Sequence, residues 1–140
     1  MTAFIDTAVF IYAGGGDHPL RHPCQVILRS VASGELVATT STEVVQEILH
    51  RFLSIRRPQT GVEMANDVLD MFAPVLPVTH ALMRRLPTLI HLYPGLSARG
   101  LLHVATCIAE GIDTIVSPDR GFDQVREIRR LDPAEVAAAS

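Results

Sequence analysis

Three carboxylates stand where a folded chain could gather them. Asp6 follows the apolar run Ala3-Phe4-Ile5, and Asp119 follows Thr114-Ile115-Val116-Ser117-Pro118. Unbroken apolar runs of this length read as strands covered on both faces. In open α/β sheets, ligands bind in the crevice outside the carboxyl ends of the strands. Glu47 sits about one turn into a helix that begins after another strand, so it can lean toward the same crevice. Each acid also has an ordinary explanation. Asp is a preferred N-cap, and Asp6 and Asp119 each precede a helical turn. On spacing alone, Glu47 reads as part of a solvated helix face. If the three do converge, they cannot stay ionised and unpaired at low cost. A hard divalent cation, Mg²⁺ or Mn²⁺, is the economical partner, because it takes carboxylate, water and phosphate oxygens.

The elements needed to position these groups follow in order. Strands are expected at residues 3–5, 36–39 and 114–117, with a short one at 75–78 and an edge strand at 128–131. Helices are expected over 7–12, 19–33, 42–56 and 58–72, judged from apolar spacing and stop residues. Thr40-Ser41-Thr42-Glu43 fits a capping box with Glu43 at N3, which leaves Glu47 without a local task. A helix from His80 toward Leu92 contains Pro87, which should kink or split it. Ser97 caps a helix that ends at Gly111, and Asp132-Pro133 opens a short tail helix. Gly100 falls at N3 of the helix capped by Ser97. An acid is expected there, and glycine costs up to ~1 kcal/mol relative to alanine. The alternation of buried strands and helices predicts an α/β fold: three layers, with a central parallel sheet of four to five strands covered by helices on both sides. The 140 residues make one domain, 1–140.

Composition narrows the chemistry. All twelve basic residues are Arg, so mechanisms that need a lysine are excluded, including those of phosphoacceptor signalling domains. Planar phosphate recognition by Arg stays available. A net charge of −3 argues against binding nucleic acid through overall basicity but not through a local patch. Cys24 and Cys107 are few and far apart, which suggests reduced thiols and a cytoplasmic location. No signal peptide and no membrane span is expected. Gly14, Gly15 and Gly16 read as a flexible turn, since no Gly-Lys-Ser/Thr follows. His18, His22 and Cys24 have a spacing that zinc could use, but this is a weak signal.

Four stretches carry a family resemblance over nearly the whole chain. They are Phe4-Ile5-Asp6-Thr7, Ser41-Thr42-Glu43-Val44-Val45-Gln46-Glu47, Leu96-Ser97-Ala98-Arg99-Gly100-Leu101-Leu102-His103, and residues 111–123 from Gly111 to Asp123. The sequence resembles the PIN-domain nucleases, most closely the VapC-type toxins of bacterial toxin–antitoxin pairs. The resemblance implies a metal-dependent endoribonuclease using Mg²⁺ or Mn²⁺, with Asp6, Glu47 and Asp119 as catalytic metal ligands. Thr7 and Ser117 match supporting positions, and Asp123 is a possible extra acid. Arg51, Arg84, Arg85, Arg99 and Arg120 are weaker candidates for holding RNA. A homodimer, a VapB-like antitoxin partner and no membrane association are also implied. The family's remaining acid falls on Gly100, which cannot ligate a metal. Two origins compete: a replacement that disarms a toxic nuclease, favoured because the neighbouring motif positions are intact, or a degenerate copy. The alternative function is a catalytically inactive PIN-fold binding module.

Overall fold

The structure is a computed structural model that describes residues 2–140. Four short parallel strands form its sheet: β1 (Ala3–Ile5), β2 (Ala38–Thr39), β3 (Thr114–Val116) and β4 (Arg129–Leu131), in the order β2-β1-β3-β4. β1 and β3 are buried along their whole length, as expected of strands covered on both faces. The chain leaves β1 toward β2 and later returns to β1's other side as β3. The direction of winding therefore reverses between β1 and β3, which is where such sheets open a ligand crevice.

The helices are α1 (Thr7–Gly14), α2 (Arg21–Ala32), α3 (Thr42–Ser54), α4 (Pro58–Met71), α5 (His80–Arg84), α6 (Leu86–Leu92), α7 (Ala98–Glu110) and α8 (Pro133–Ala138). One group packs α1 on α2 and α2 on α8; another packs α5 and α6 on α7. α3 pairs with α4 at close range, where a Cβ on Gly61 would come within 2.9 Å of Phe52 Cβ. Phe4, Ile5, Phe52, Leu101, Ile115 and Phe122 form the centre of the core.

Several details follow from local chemistry. Pro87 splits the helix expected over 80–92 into α5 and α6. Gly111 ends α7 at φ 68, in the left-handed region where glycine carries no Cβ penalty. Asp132 caps α8 through Ala134 N–H at 2.9 Å. Two expectations are corrected. Residues 75–78 do not make a strand: Leu76 forms a single parallel bridge to Ser41. Pro74, two residues before it on the same side, has no N–H to extend the ladder, and Val78 N–H donates instead to Thr42 Oγ1 at 3.2 Å. The cap of α3 is Ser41, whose Oγ accepts from Val44 N–H at 3.4 Å. Glu43 is therefore at N2 rather than N3 and is not part of a capping box.

Candidate active site

The tips of the strands are tied together by hydrogen bonds. Asp6 N–H donates to Val116 O at 3.1 Å, and Thr40 Oγ1 donates to Ile5 O at 2.9 Å. Asp6 does cap α1, accepting from Thr7 N–H at 2.8 Å through Oδ1. Capping and a site role are compatible, because the same carboxylate also faces a cleft of about 300 Å³. Glu47, Gly100, His103, Arg99 and Asp119 line that cleft too. The three acids singled out in the sequence thus share one cavity, above the reversal between β1 and β3.

Two hydrogen bonds orient the acids. Ser117 Oγ donates to Asp6 Oδ2 at 2.6 Å and accepts from Asp119 N–H at 3.0 Å. One buried hydroxyl therefore fixes Asp6 and anchors the turn that carries Asp119. Asp119 caps the 3₁₀ turn Arg120–Gln124, with Oδ1 accepting from Gly121 N–H at 2.8 Å. Thr7 is buried, and its Oγ1 finds no hydrogen-bond partner among the described residues.

His103 was not singled out by residue-type reasoning. It lies one turn after Gly100 on the same face of α7, 2% exposed, with Nε2 3.0 Å from Glu47 Oε1 and 3.5 Å from Asp6 Oδ1. Its ring packs on Phe4 with centroids 5.3 Å apart. The Glu47 contact is close, but its angle is poor: neither His103 Nε2 nor Glu47 Oε1 makes a well-directed hydrogen bond. The two groups are in contact without a directed hydrogen bond. Burial raises the Asp6 carboxyl above its ordinary value, against the opposing pull of His103, Ser117 and Thr7. Burial pushes the His103 imidazole down, but Glu47, Asp6 and Glu43 outweigh it and the net shift is upward. Glu43, half-buried, is also raised, by burial and by Glu47. Its i,i+4 spacing to Glu47 was the available signal for its place beside Glu47.

The donor set suits a hard cation only in part. Asp6, Glu47 and Asp119 offer oxygens, and Glu47 Oε1 is a buried acceptor without a hydrogen bond. Mg²⁺ needs only one or two carboxylates besides water and phosphate. Yet among the described residues no three His, Cys, Asp or Glu side chains are close enough together to hold an ion unaided. Gly100 lines the cleft and offers it no side-chain donor. A Cβ there would meet Ser97 Oγ at 3.4 Å, Leu96 at 3.6 Å and Phe122 at 3.8 Å, all ordinary contacts, so the position can carry a side chain.

Other sequence candidates lie elsewhere. Asp123 is paired with Arg130, whose Nε donates to Oδ1 at 2.8 Å and whose Nη2 donates to Oδ2 at 3.3 Å. Arg130 Nη1 also donates to Ser117 O at 3.1 Å, bracing the same turn from outside the cleft. Arg84 Nε donates to His80 Nε2 at 2.9 Å; Arg84, at the end of α5, and Arg85, between α5 and α6, are exposed and do not line the cleft. Cys24 is buried in the core while His18 and His22 line an exposed pocket, and among the described residues they form no group of three ligands that could hold a metal. Both thiols are free; burial pushes Cys24 up to about 11 and Cys107 up to about 12. A larger groove of about 450 Å³ between α1, α2 and α4 is lined by none of Asp6, Glu47 or Asp119. No helix among the described residues is long and apolar enough to cross a membrane.

Comparison with known proteins agrees with this architecture. The PIN-domain family pattern matches residues 3–128. Ribonuclease VapC23 of Mycobacterium tuberculosis is 37% identical over 116 residues, covering 83% of this chain and 91% of that protein. Ribonuclease VapC13 of the same organism is 32% identical over 127 residues, covering 91% and 97%. Among solved structures, FitAcB from Neisseria gonorrhoeae superposes with a TM-score of 0.73 at 15% identity, covering 95% of this chain and 98% of that one. VapBC2 from Rickettsia felis, bound to a promoter DNA fragment, gives 0.71 at 16% identity, covering 94% and 100%. The strand-tip acids, the reversal that gathers them and the match across most of its length together place this chain in the PIN-domain family, among the VapC-type ribonucleases of toxin–antitoxin systems.

Proposed function

We propose that this chain is an endoribonuclease toxin that uses Mg²⁺ or Mn²⁺ to hydrolyse RNA phosphodiester bonds, and that Gly100 weakens it. The observation that carries the reading is the convergence of Asp6, Glu47 and Asp119 on one cleft at the β1/β3 reversal. Asp6, Glu47 and Asp119 would hold the cation, with Ser117 orienting Asp6 and fixing the Asp119 turn. When bound, such an ion lowers the pKa of a water and neutralises phosphate charge. Arg99, exposed at the cleft rim, is positioned to receive an RNA phosphate. The products would be a 5′-phosphate and a 3′-hydroxyl.

The antitoxin partner is inferred from the relatives. The FitAcB and VapBC2 neighbours, and a Klebsiella pneumoniae neighbour described as a toxin–antitoxin complex, share this fold. A homodimer is proposed too, and light scattering on the purified chain tests it. Leu53 and Leu92, about 60% exposed, are the kind of apolar surface that association covers.

A second reading, an inactive PIN-fold binding module, draws on a specific observation: His103 already sits between Asp6 and Glu47 while position 100 has no side chain. The deciding experiment compares the protein with its Gly100→Asp variant for Mn²⁺-dependent cleavage of total RNA. The nuclease reading expects the variant to cleave at least ~100-fold faster, since even groups that merely support ligands contribute 10- to 100-fold. If the variant cleaves no better, Gly100 is not the impairment. If neither form cleaves, the binding-module reading stands.

A further inference from the structure

A smaller cavity of about 200 Å³ lies beside the acidic cleft, and Ile11 lines both. Its walls carry the side chains of Tyr12, His18, Arg51 and Arg57. Tyr12 and His18 are stacked, with centroids 4.2 Å apart and planes 18° from parallel. His18 Nδ1 accepts from Leu20 N–H at 3.1 Å, which holds the ring in place, and the residue is exposed. The stack therefore presents a flat outer face to solvent.

Two guanidiniums stand beside it. Arg51 follows Glu47 by four residues on α3, so both project from one side of that helix. Arg57 is aimed by an unusual helix end. Arg56 has φ 59, the left-handed conformation that glycine normally supplies, and Arg57 N–H then donates to Phe52 O at 2.8 Å. An arginine in this conformation is sterically disfavoured. Among the described residues, neither Arg51 nor Arg57 forms an ion pair. Asp17, the one acid lining the cavity, is instead paired with Arg21 at 3.6 Å.

From the stacked ring pair and the two unpaired guanidiniums next to the acid-lined cleft, we infer that this cavity is a nucleotide subsite for single-stranded RNA. A base stacks on the outer face of His18, while Arg51 and Arg57 hold the phosphates that lead the strand past Ile11 toward Glu47. Unpaired bases are read by just this combination of aromatic faces and arginines. A carboxylate-rich peptide would use the arginines but leave the ring face idle. The inference rests on the RNA-cleaving reading of the neighbouring cleft.

The test is fluorescence anisotropy with 5′-fluorescein octauridylate in EDTA, using the full chain with Gly100 so that binding is read without cleavage. Arg51→Gln/Arg57→Gln should weaken binding and flatten the slope of log affinity against log salt by about 1.4, or ~0.7 for each phosphate no longer neutralised. His18→Ala should weaken binding ~5- to 150-fold, as loss of one stacked base does, and leave the slope unchanged. Melting curves confirm folding of variants whose altered residues are all exposed. Octauridylate that binds the parent and the variants alike overturns the subsite and leaves RNA cleavage standing. A parent that binds no octauridylate overturns the subsite, and the cleavage reading is then decided by the Gly100→Asp assay on total RNA. Displacement by oligoglutamate of equal charge as readily as by unlabelled octauridylate assigns the cavity to an acidic peptide and overturns the proposal.

Discussion

The two walls of the acidic cleft are built differently. The inner wall is over-determined: Asp6 is held by Thr7 N–H and Ser117 Oγ, and His103 packs on Phe4 within reach of both Asp6 and Glu47. The outer wall is sparse. Asp119 is exposed and held mainly by its own turn, Arg99 is exposed, and Gly100 offers only backbone. The contrast shows that the groups positioning Asp6 and the Asp119 turn do not depend on a side chain at position 100. A buried wall also needs its carboxylates offset whether or not an ion is bound, and His103 sits within reach of both Asp6 and Glu47. Asp119 and Arg99, both exposed, have water for that purpose.

The comparison can be sharpened from its weak side first. Gly100→Asp should raise Mn²⁺ affinity on the order of 100-fold or more, measured by calorimetry, because it adds an oxygen where the Cβ has room. An unchanged affinity would mean that the outer wall is not short of a ligand. On the inner wall, His103→Leu should cost the metal-free protein about 3 kcal/mol in urea unfolding, since it leaves buried carboxylates without a counter-charge. Added Mn²⁺ should recover much of this loss, and a cost that Mn²⁺ leaves untouched would point to packing alone. Ser117→Ala should cost roughly 1.5–3 kcal/mol, the range for a hydrogen bond to a charged group, and should weaken Mn²⁺ binding as well. A stability loss with metal affinity intact would remove Ser117 as an orienting group.

The smallest effect belongs outside the cleft. Arg130 holds the Asp123 carboxyl below its ordinary 3.8, chiefly through their hydrogen bonds. A depressed carboxyl contributes stability above its ordinary value and loses it as pH falls through the lowered one. Arg130→Met should therefore narrow the gap between neutral and strongly acid stability, read as the shift in urea midpoint. Asp123 is exposed, so the change should be slight. A gap as wide as the parent's would mean that the pair contributes nothing to stability.

Much of this was legible in the sequence because it depends on local pattern. Apolar runs ending in Asp6 and near Asp119 specify strands and their tips, and Pro87 and Gly111 mark helix ends through chemistry that neighbours cannot override. What escaped depended on longer-range fit. His103 sits on a helix face whose spacing reads as core, and only the closure of α7 over β1 brings it to Asp6. Glu43 was displaced by one position because Thr40, Ser41 and Thr42 could each cap; Thr40 is instead used to tie β2 to β1. Residues 75–78 have strand-like composition, but Pro74 lacks the N–H that would extend the ladder one way, and Val78 N–H is taken by Thr42 Oγ1 the other way. Arg130 braces Ser117 across a turn whose geometry no local pattern encodes.

The central claim is that Asp6, Glu47 and Asp119 act together on one divalent cation. Manganese titration followed by electron paramagnetic resonance tests this directly, with the Gly100→Asp protein compared with the same protein carrying Asp6→Asn. The account predicts a saturable Mn²⁺ site in the first and its loss in the second. Equal Mn²⁺ binding by the two would contradict it.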